Sequence, residues 1–247
     1  MRVAVAGGTG VVGAEVVDRL TELGHEPVVL ARSRGTDLTS GEGVEEALTG
    51  VHAVVDATSI ASSSRTACVE FFTTVTRTLL RGEVAAGVGH HVALSIVGID
   101  DIPFGYYQGK VAHEQAVTAG SVPWSILRAT QFHEFPGQML ERTAVGPVSF
   151  VPRMRSQPVA AAEVAQALVV LALGEPAGRV PDIAGPREEQ MVELARRLVR
   201  HRGERRRVVG VPVPGPAGRA MRDGGLLPTG PGPRGTQTFD DWLARPG

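Results

Sequence analysis

The sequence predicts an α/β fold, a doubly wound parallel sheet with helices on both faces, and three observations carry that prediction. Short apolar runs alternate with amphipathic stretches through the first half of the chain. The runs are apolar throughout instead of alternating with polar residues, as strands covered on both faces are. The connections between them are short, which suits repeated β-α units feeding one sheet.

Val3–Ala6 opens the series as a buried strand. Val12, Val16, Val17, Leu20 and Leu23 follow at helical spacing, and Gly24 closes that helix, where glycine takes the left-handed cap. Val28–Ala31 reads as a strand, Val44–Leu48 as a short helix and Ala53–Thr58 as the next strand. A long helix over about Arg65–Val84 then precedes a strand at His91–Val97, a helix at about Tyr106–Ala119 and a strand at Trp124–Arg128. After Ala129 the pattern changes. Helices at Phe132–Arg142, Ala162–Leu173 and Glu188–Arg202 are separated by short runs at Val148–Val151 and Val208–Val211. Pro and Gly cluster over Pro212–Gly235, yet the apolar helix Phe239–Leu243 beyond them has to dock, so ordered loops are expected there.

At 247 residues the chain suits one large α/β domain with a sizeable core. Lys and Arg total 25 against 26 Asp and Glu, so no overall field draws nucleic acid or an anionic membrane. The longest apolar stretch, Val164–Leu173, contains Gln166 and falls short of the roughly 20 residues that span a bilayer. A single cysteine, Cys68, allows neither an internal disulfide nor a cysteine-based zinc site. His90 and His91 point to opposite sides of a strand with no third ligand at a suitable spacing, so no metal is expected. Met1-Arg2 leads directly into the first strand without the regions of a signal peptide, and a cytoplasmic location is expected.

The strongest local signal is GGTGVVG, Gly7 to Gly13, set between the first strand and the first helix. Gly7 makes the tight turn, Gly10 lets the backbone approach a pyrophosphate, and Gly13 lets helix and strand pack closely. Thr9, Val11 and Val12 belong to the same turn, where the helix N-terminus faces phosphate oxygens. This is the dinucleotide fingerprint in its proper context. At the end of the second strand an NAD enzyme would present a carboxylate to the ribose hydroxyls, whereas this chain has Arg32, followed by Ser33 and Arg34. Arg32 can pair with a 2′-phosphate and stack on adenine, with Ser33 assisting, which favours NADP(H) over NAD(H). Solvated loop arginines are the plainer alternative.

The sequence contains one lysine, Lys110, against 24 arginines, and both of its tyrosines, Tyr106 and Tyr107, lie within four residues of it. Tyr106 and Lys110 are i and i+4 on one helix face. An ammonium beside a phenol favours phenolate, which suits Tyr106 to exchange a carbonyl proton. A helix-start aromatic with a snorkelling lysine is the alternative. Ser95 ends the preceding strand, where its hydroxyl either faces the ligand crevice or satisfies local backbone groups.

These residues together resemble the short-chain dehydrogenase/reductases, and within them the atypical NmrA-like NAD(P)-binding branch. The likeness is carried by GGTGVVG, Arg32, AVVDAT, LSIVG, YYQGK followed by Glu114, and WSILRATQF, and extends to GPREEQMVELARRL and FDDWLA. It implies a Rossmann-type sheet of about seven parallel strands, although Ser33–Gly43 is short for a strand. It also implies Ser95, Tyr106 and Lys110 as the catalytic set, Ala57 and Thr58 beside the adenosine ribose, and Ala129 and Thr130 near the nicotinamide. The whole chain reads as a single domain, residues 1–130 mainly for the dinucleotide and residues 131–247 mainly a small C-terminal, substrate-side portion.

Phe104, Phe132, His133 and Met154 follow strand ends or lie in the loop-rich half, and are candidates to line an apolar substrate pocket. Ordinary core packing is the alternative for each, and His133 is structural unless it orients a substrate oxygen. The arginines between Arg196 and Arg207 form the solvated face of an amphipathic helix, not a nucleic-acid surface. The expectation is an NADPH-dependent oxidoreductase reducing a carbonyl or quinone of an apolar small molecule; the alternative is a non-catalytic NADP(H)-sensing regulatory protein. The helix over Arg65–Val84 presents a face that is either a homodimer surface or plain core, so the oligomeric state stays open.

Overall fold

Strands and helices alternate through the first half as the apolar periodicity requires. The computed structural model describes residues 1–245. The chain runs β1 (Arg2–Ala6), α1 (Val11–Glu22), β2 (Glu26–Leu30), a 3-10 helix (Arg32–Arg34), α2 (Val44–Ala47), β3 (Ala53–Asp56), α3 (Arg65–Ala86), β4 (His90–Ile96), α4 (Gly105–Thr118) and β5 (Trp124–Ala129). It continues through α5 (Phe135–Arg142), β6 (Ala144–Val145), β7 (Val148–Pro152), β8 (Arg155–Ser156), α6 (Ala161–Leu173), β9 (Gly178–Arg179), β10 (Glu189–Gln190), α7 (Met191–His201), β11 (Arg207–Val211), α8 (Gly215–Asp223) and α9 (Phe239–Leu243).

These elements form two compact units, each discontinuous in sequence. The first comprises Met1–Ser95, Phe104–Arg128 and Ala161–Pro181. Its parallel sheet has the order β2-β1-β3-β4-β5-β9. Because β1 lies between β2 and β3, successive crossovers leave it in opposite directions. The carboxyl ends of β1 and β3 therefore mark the switch point where such sheets bind ligands. α1 packs on α6, and α3 on α4. Ala4, Ala6 and Val54 turn one face of the sheet toward Val44 and Leu48 near α2 and Val75 and Leu79 of α3, all buried.

Six strands form this sheet where about seven were expected. The segment between β2 and α2 is taken up by the 3-10 helix and a tight turn, in which Asp37 N–H donates to Glu42 O and Gly41 N–H to Asp37 O. Gly43, at positive φ, has only 2.1 Å between an added Cβ and Gly35 O, so this turn closes on itself instead of extending a strand. The sixth strand, β9, is two residues long and pairs with Ser125 and Ile126 of β5.

The second unit comprises Ile96–Pro103, Ala129–Ala160 and Asp182–Gly247. It holds a three-stranded sheet in the order β11-β7-β6 and an antiparallel β10-β8 pair. α7 begins at Met191, not Glu188, because Glu189 and Gln190 pair with β8. Leu194 and Leu198 bury the apolar stripe of α7, which packs on α5, β7 and β11. The Pro/Gly-rich stretch is ordered and contains α8, which the sequence did not announce. α9 docks as its composition required: Thr238 and Asp241 form a reciprocal capping box, Phe239 is buried, and Trp242 Nε1 donates to Glu134 Oε1 at 3.2 Å. Among the described residues, no helix is long and apolar enough to cross a membrane.

Candidate functional site

The fingerprint turn is built by close backbone approach. Gly7 takes φ +76°, and a Cβ there would lie 2.7 Å from Ala57 O, so the β1–α1 turn rests directly on the β3–α3 loop. At Gly13 a Cβ would come within 2.1 Å of Gly7 O, which only glycine allows. Gly10 caps α1 with no side-chain hydrogen bond, and its added Cβ would meet only Gly7 O, at 3.2 Å. Helix termini leave their first N–H groups unpaired within the helix, and here neither a capping side chain nor an acidic first-turn residue competes for them. Thr9, Gly10 and Val11 are exposed, while Val12 and Gly13 are buried. The turn therefore fits the diphosphate of a dinucleotide.

Arg32, Ser33 and Arg34 form the exposed 3-10 turn directly after β2. Asp37 stands nearby, its carboxyl held below the usual range by hydrogen bonds from Thr39, with a smaller contribution from Arg32. On the opposite side of β1, β3 ends in Asp56, whose Oδ1 accepts from Thr58 N–H at 2.9 Å and Thr58 Oγ1 at 2.6 Å. That turn sets the course of Ala57, Thr58 and Ser59.

α4 reaches this loop because two glycines let it approach α3. A Cβ at Gly105 would lie 2.2 Å from Ser63 O, and one at Gly109 would lie 2.7 Å from Cys68 Cβ. The approach places the half-buried Tyr106 with its hydroxyl 2.8 Å from Ser59 Oγ. The Tyr106 ring meets Phe72 edge-on at 5.7 Å. Tyr107 is buried, which pushes its phenol far above the usual value.

Lys110, on the next turn, is only 4% exposed. Its Nζ lies 2.7 Å from His113 Nδ1 and 4.7 Å from the centre of the Phe72 ring. His113 Nε2 in turn lies 3.1 Å from Asp56 Oδ2. Burial lowers Lys110 to about 8 against the opposing pull of Asp56 and Glu114. Burial would raise the Asp56 carboxyl, but His113, His91 and Lys110 together hold it well below the usual range. Burial and the Lys110 charge depress His113; His91 is raised because Glu83, 2.7 Å from its Nδ1, outweighs burial.

Sequence reasoning missed this cluster. His91 does find companions: ligand-capable atoms of Asp56, His91 and His113 lie within 4.8 Å of one another, brought together from β3, β4 and α4. The expectation that His91 has no suitable neighbours is corrected on that point. Lys110, at the edge of the group, already brings positive charge beside the Asp56 carboxylate.

Ser95 is 2% exposed, on the face of β4 toward α4, where it lies near Glu114 and helps hold that carboxyl below its usual range. Glu114 also binds Arg128 through both oxygens at 2.8 Å and pairs with Arg179. Of the residues expected near substrate, Phe104 packs on Tyr107 with ring centres 5.1 Å apart. In the second unit, Phe132 bridges to Val159, and Met154 is buried, its carbonyl accepting from Met191. Ala129 and Thr130 are buried there too, Thr130 Oγ1 donating to Gln157 O at 2.6 Å. His133 is fully buried, 3.1 Å from Gln237 O through Nε2 and against the rings of Phe239 and Trp242, so it serves the docking of α9.

The switch-point crevice, the glycine turn with its open helix N-terminus and the adjoining β3–α3 loop define a dinucleotide-binding α/β protein of Rossmann type. Residues 34–175 match the model of a family described as NAD(P)H-binding, and the chain belongs to that family. The match begins after the glycine turn and Arg32, so those residues add to it independently. No curated protein matched the sequence. Among solved structures, the chain resembles an NADPH-dependent quinone oxidoreductase from Escherichia coli complexed with NADPH, at 17% identity over 98% of each chain and a TM-score of 0.71. It resembles a nucleoside-diphosphate-sugar epimerase from Staphylococcus aureus at 14% identity, over 99% of this chain and 100% of that one, with a TM-score of 0.70. A triphenylmethane reductase from Citrobacter sp. matches at 19% identity, over 93% and 92%, with a TM-score of 0.67. At these identities the likeness shows the shared Rossmann-type fold.

Proposed function

We propose that this protein is an NADPH-dependent reductase of a carbonyl or quinone in an apolar small molecule, with Tyr106 as the proton donor. The observation that carries the reading is the hydrogen bond between the Tyr106 and Ser59 hydroxyls, Ser59 lying on the loop against which the fingerprint turn rests. It holds an acid-base group beside the nucleotide turn. The bound cofactor supplies hydride; the chain's own residues supply position and the proton. Tyr106 protonates the oxygen that develops negative charge, Ser59 orients its hydroxyl, and the Lys110 ammonium one turn along the helix eases phenolate formation. Arg32 pairs with the 2′-phosphate of NADP(H), and Phe104 offers apolar surface beside the tyrosines. The names of the quinone oxidoreductase and the dye reductase support an apolar acceptor.

The test is Tyr106→Phe, assayed with NADPH against a panel of quinones and aromatic carbonyls. Loss of the acid lowers kcat by roughly 10²–10⁴-fold while NADPH affinity stays within about twofold; unchanged turnover of a verified substrate overturns the assignment. One observation favours a second reading, an NADP(H) sensor without turnover: the Ser95 side chain, only 2% exposed, lies in the interior near Glu114. That reading requires NADP⁺ and NADPH to bind with different affinity and nothing in the panel to be reduced.

A further inference from the structure

Three buried side chains from two elements form a continuous polar path: Asp56 on β3, and His113 and Lys110 on α4. The path has a fixed polarity. An ionised carboxylate only accepts, so the contact between Asp56 Oδ2 and His113 Nε2 requires the proton on Nε2. His113 Nδ1 is then an acceptor, which the Lys110 ammonium at 2.7 Å satisfies. The other Asp56 oxygen accepts twice from Thr58, fixing the loop whose next residue, Ser59, meets the Tyr106 hydroxyl.

We propose that Asp56 is a positioning residue for Tyr106 from both sides: through Thr58 it holds Ser59 against the phenol, and through the His113 tautomer it holds the Lys110 ammonium one helical turn away. The proposal rests on the reading of Tyr106 as proton donor. A hydrophobic isostere of the Asp56–His113 pair would fill the same space, but it would leave Lys110 buried without an acceptor. The path also ties the carboxyl end of β3, at the switch point, to the helix that carries the acid. The groups facing Lys110 and its partners are Asp56 from β3, His91 from β4 with Glu83 of α3 behind it, and His113 and Glu114 from α4. The ring of Phe72, from α3, covers the ammonium.

Because Lys110 is the only lysine, selective ¹³C-lysine labelling gives a single side-chain resonance, and its titration reads the proposal directly. Asp56→Asn keeps an oxygen for Thr58 but offers an amide to His113. That favours the opposite tautomer, whose Nδ1–H opposes an ammonium. Burial sets the wild-type midpoint below the usual lysine value, and Asp56→Asn lowers it further by at least one unit, a tenfold change in proton affinity. His113→Gln, whose amide can accept from Lys110 and donate to Asp56, moves it by less than half that amount. A midpoint shifted by under 0.3 unit in Asp56→Asn overturns the proposal. Should Asp56→Asn fail to fold, His113→Leu replaces it and must also lower the midpoint by at least one unit. None of these titrations depends on turnover, so a failed Tyr106→Phe test and a failed positioning test remain separate results.

Discussion

Replacing Gly13 by alanine tests the nucleotide turn at its tightest point. The added methyl would lie 2.1 Å from Gly7 O, 2.7 Å from Gly7 C and 2.8 Å from Gly8 Cα. All three are backbone atoms, so no rotamer change relieves the clash, and the turn has to retreat by more than about 1 Å to reach ordinary contact. Overpacking of this kind costs roughly 1–3 kcal/mol. At roughly 2–4 °C per kcal/mol for a chain of this size, the melting temperature falls by about 2–12 °C. The displaced turn also carries the helix N-terminus that would face the diphosphate, so NADPH affinity falls at least about tenfold, equivalent to ~1.4 kcal/mol. Gly10→Ala is the matched control. Its φ of −85° suits alanine and its methyl meets only Gly7 O, at 3.2 Å, so stability changes by about 0.5 kcal/mol at most. NADPH affinity still falls tenfold or more if the diphosphate sits against that bare backbone. Cofactor fluorescence titrations and thermal melts measure both effects. Gly10→Ala that binds NADPH as the wild type does would refute the placement of the diphosphate on this turn.

Arg32→Ala weakens NADPH binding by about tenfold or more, the worth of one charge-assisted hydrogen bond of roughly 1.5–3 kcal/mol, while NADH binding is unchanged; parallel titrations of the two nucleotides decide it. Acid stability follows from Asp56 and Glu114. Both carboxyls are depressed in the fold, so their contribution is present above the unfolded values near 4 and is lost as pH falls through the folded ones. The melting temperature should therefore drop steeply below about pH 4. Glu114→Gln should flatten that limb while costing roughly 3–5 kcal/mol at pH 7, because Arg128 is left buried without its carboxylate.

The β1–α1–β2 unit was legible because each of its signals is local: an apolar run, three spaced glycines, a helical stripe and a closing Gly24. β9 was not, since two residues, Gly178 and Arg179, carry no period, and their strand character comes from pairing with Ser125 and Ile126. α8 was hidden by Pro216 and Gly218. The glycine is there for a packing reason, as its Cβ would lie 1.8 Å from Val213 O. The missing seventh strand shows in the shortness of Ser33–Gly43. At the candidate site, Tyr106, Lys110 and Arg32 stood out by type and spacing, but the partners of Tyr106 and Lys110 did not. Ser59 precedes Tyr106 by 47 residues, and the Asp56–His113 contact joins a strand to a helix three elements later. One signal was present. Asp56 is the only charged residue in the otherwise apolar AVVDAT strand, and a carboxylate buried there needs donors from elsewhere in the fold.

The burial of Lys110 means that the folded chain presents no side-chain amine to solvent. Amine-directed acylating reagents can reach that nitrogen only when α4 lifts from α3, so the rate of a second acylation, beyond that of the exposed Met1 α-amine, becomes a clock for opening of this helix pair, readable by intact mass. A nucleotide that steadies the β3–α3 loop should slow that clock, which gives a way to screen for bound ligands without any knowledge of the reaction they undergo.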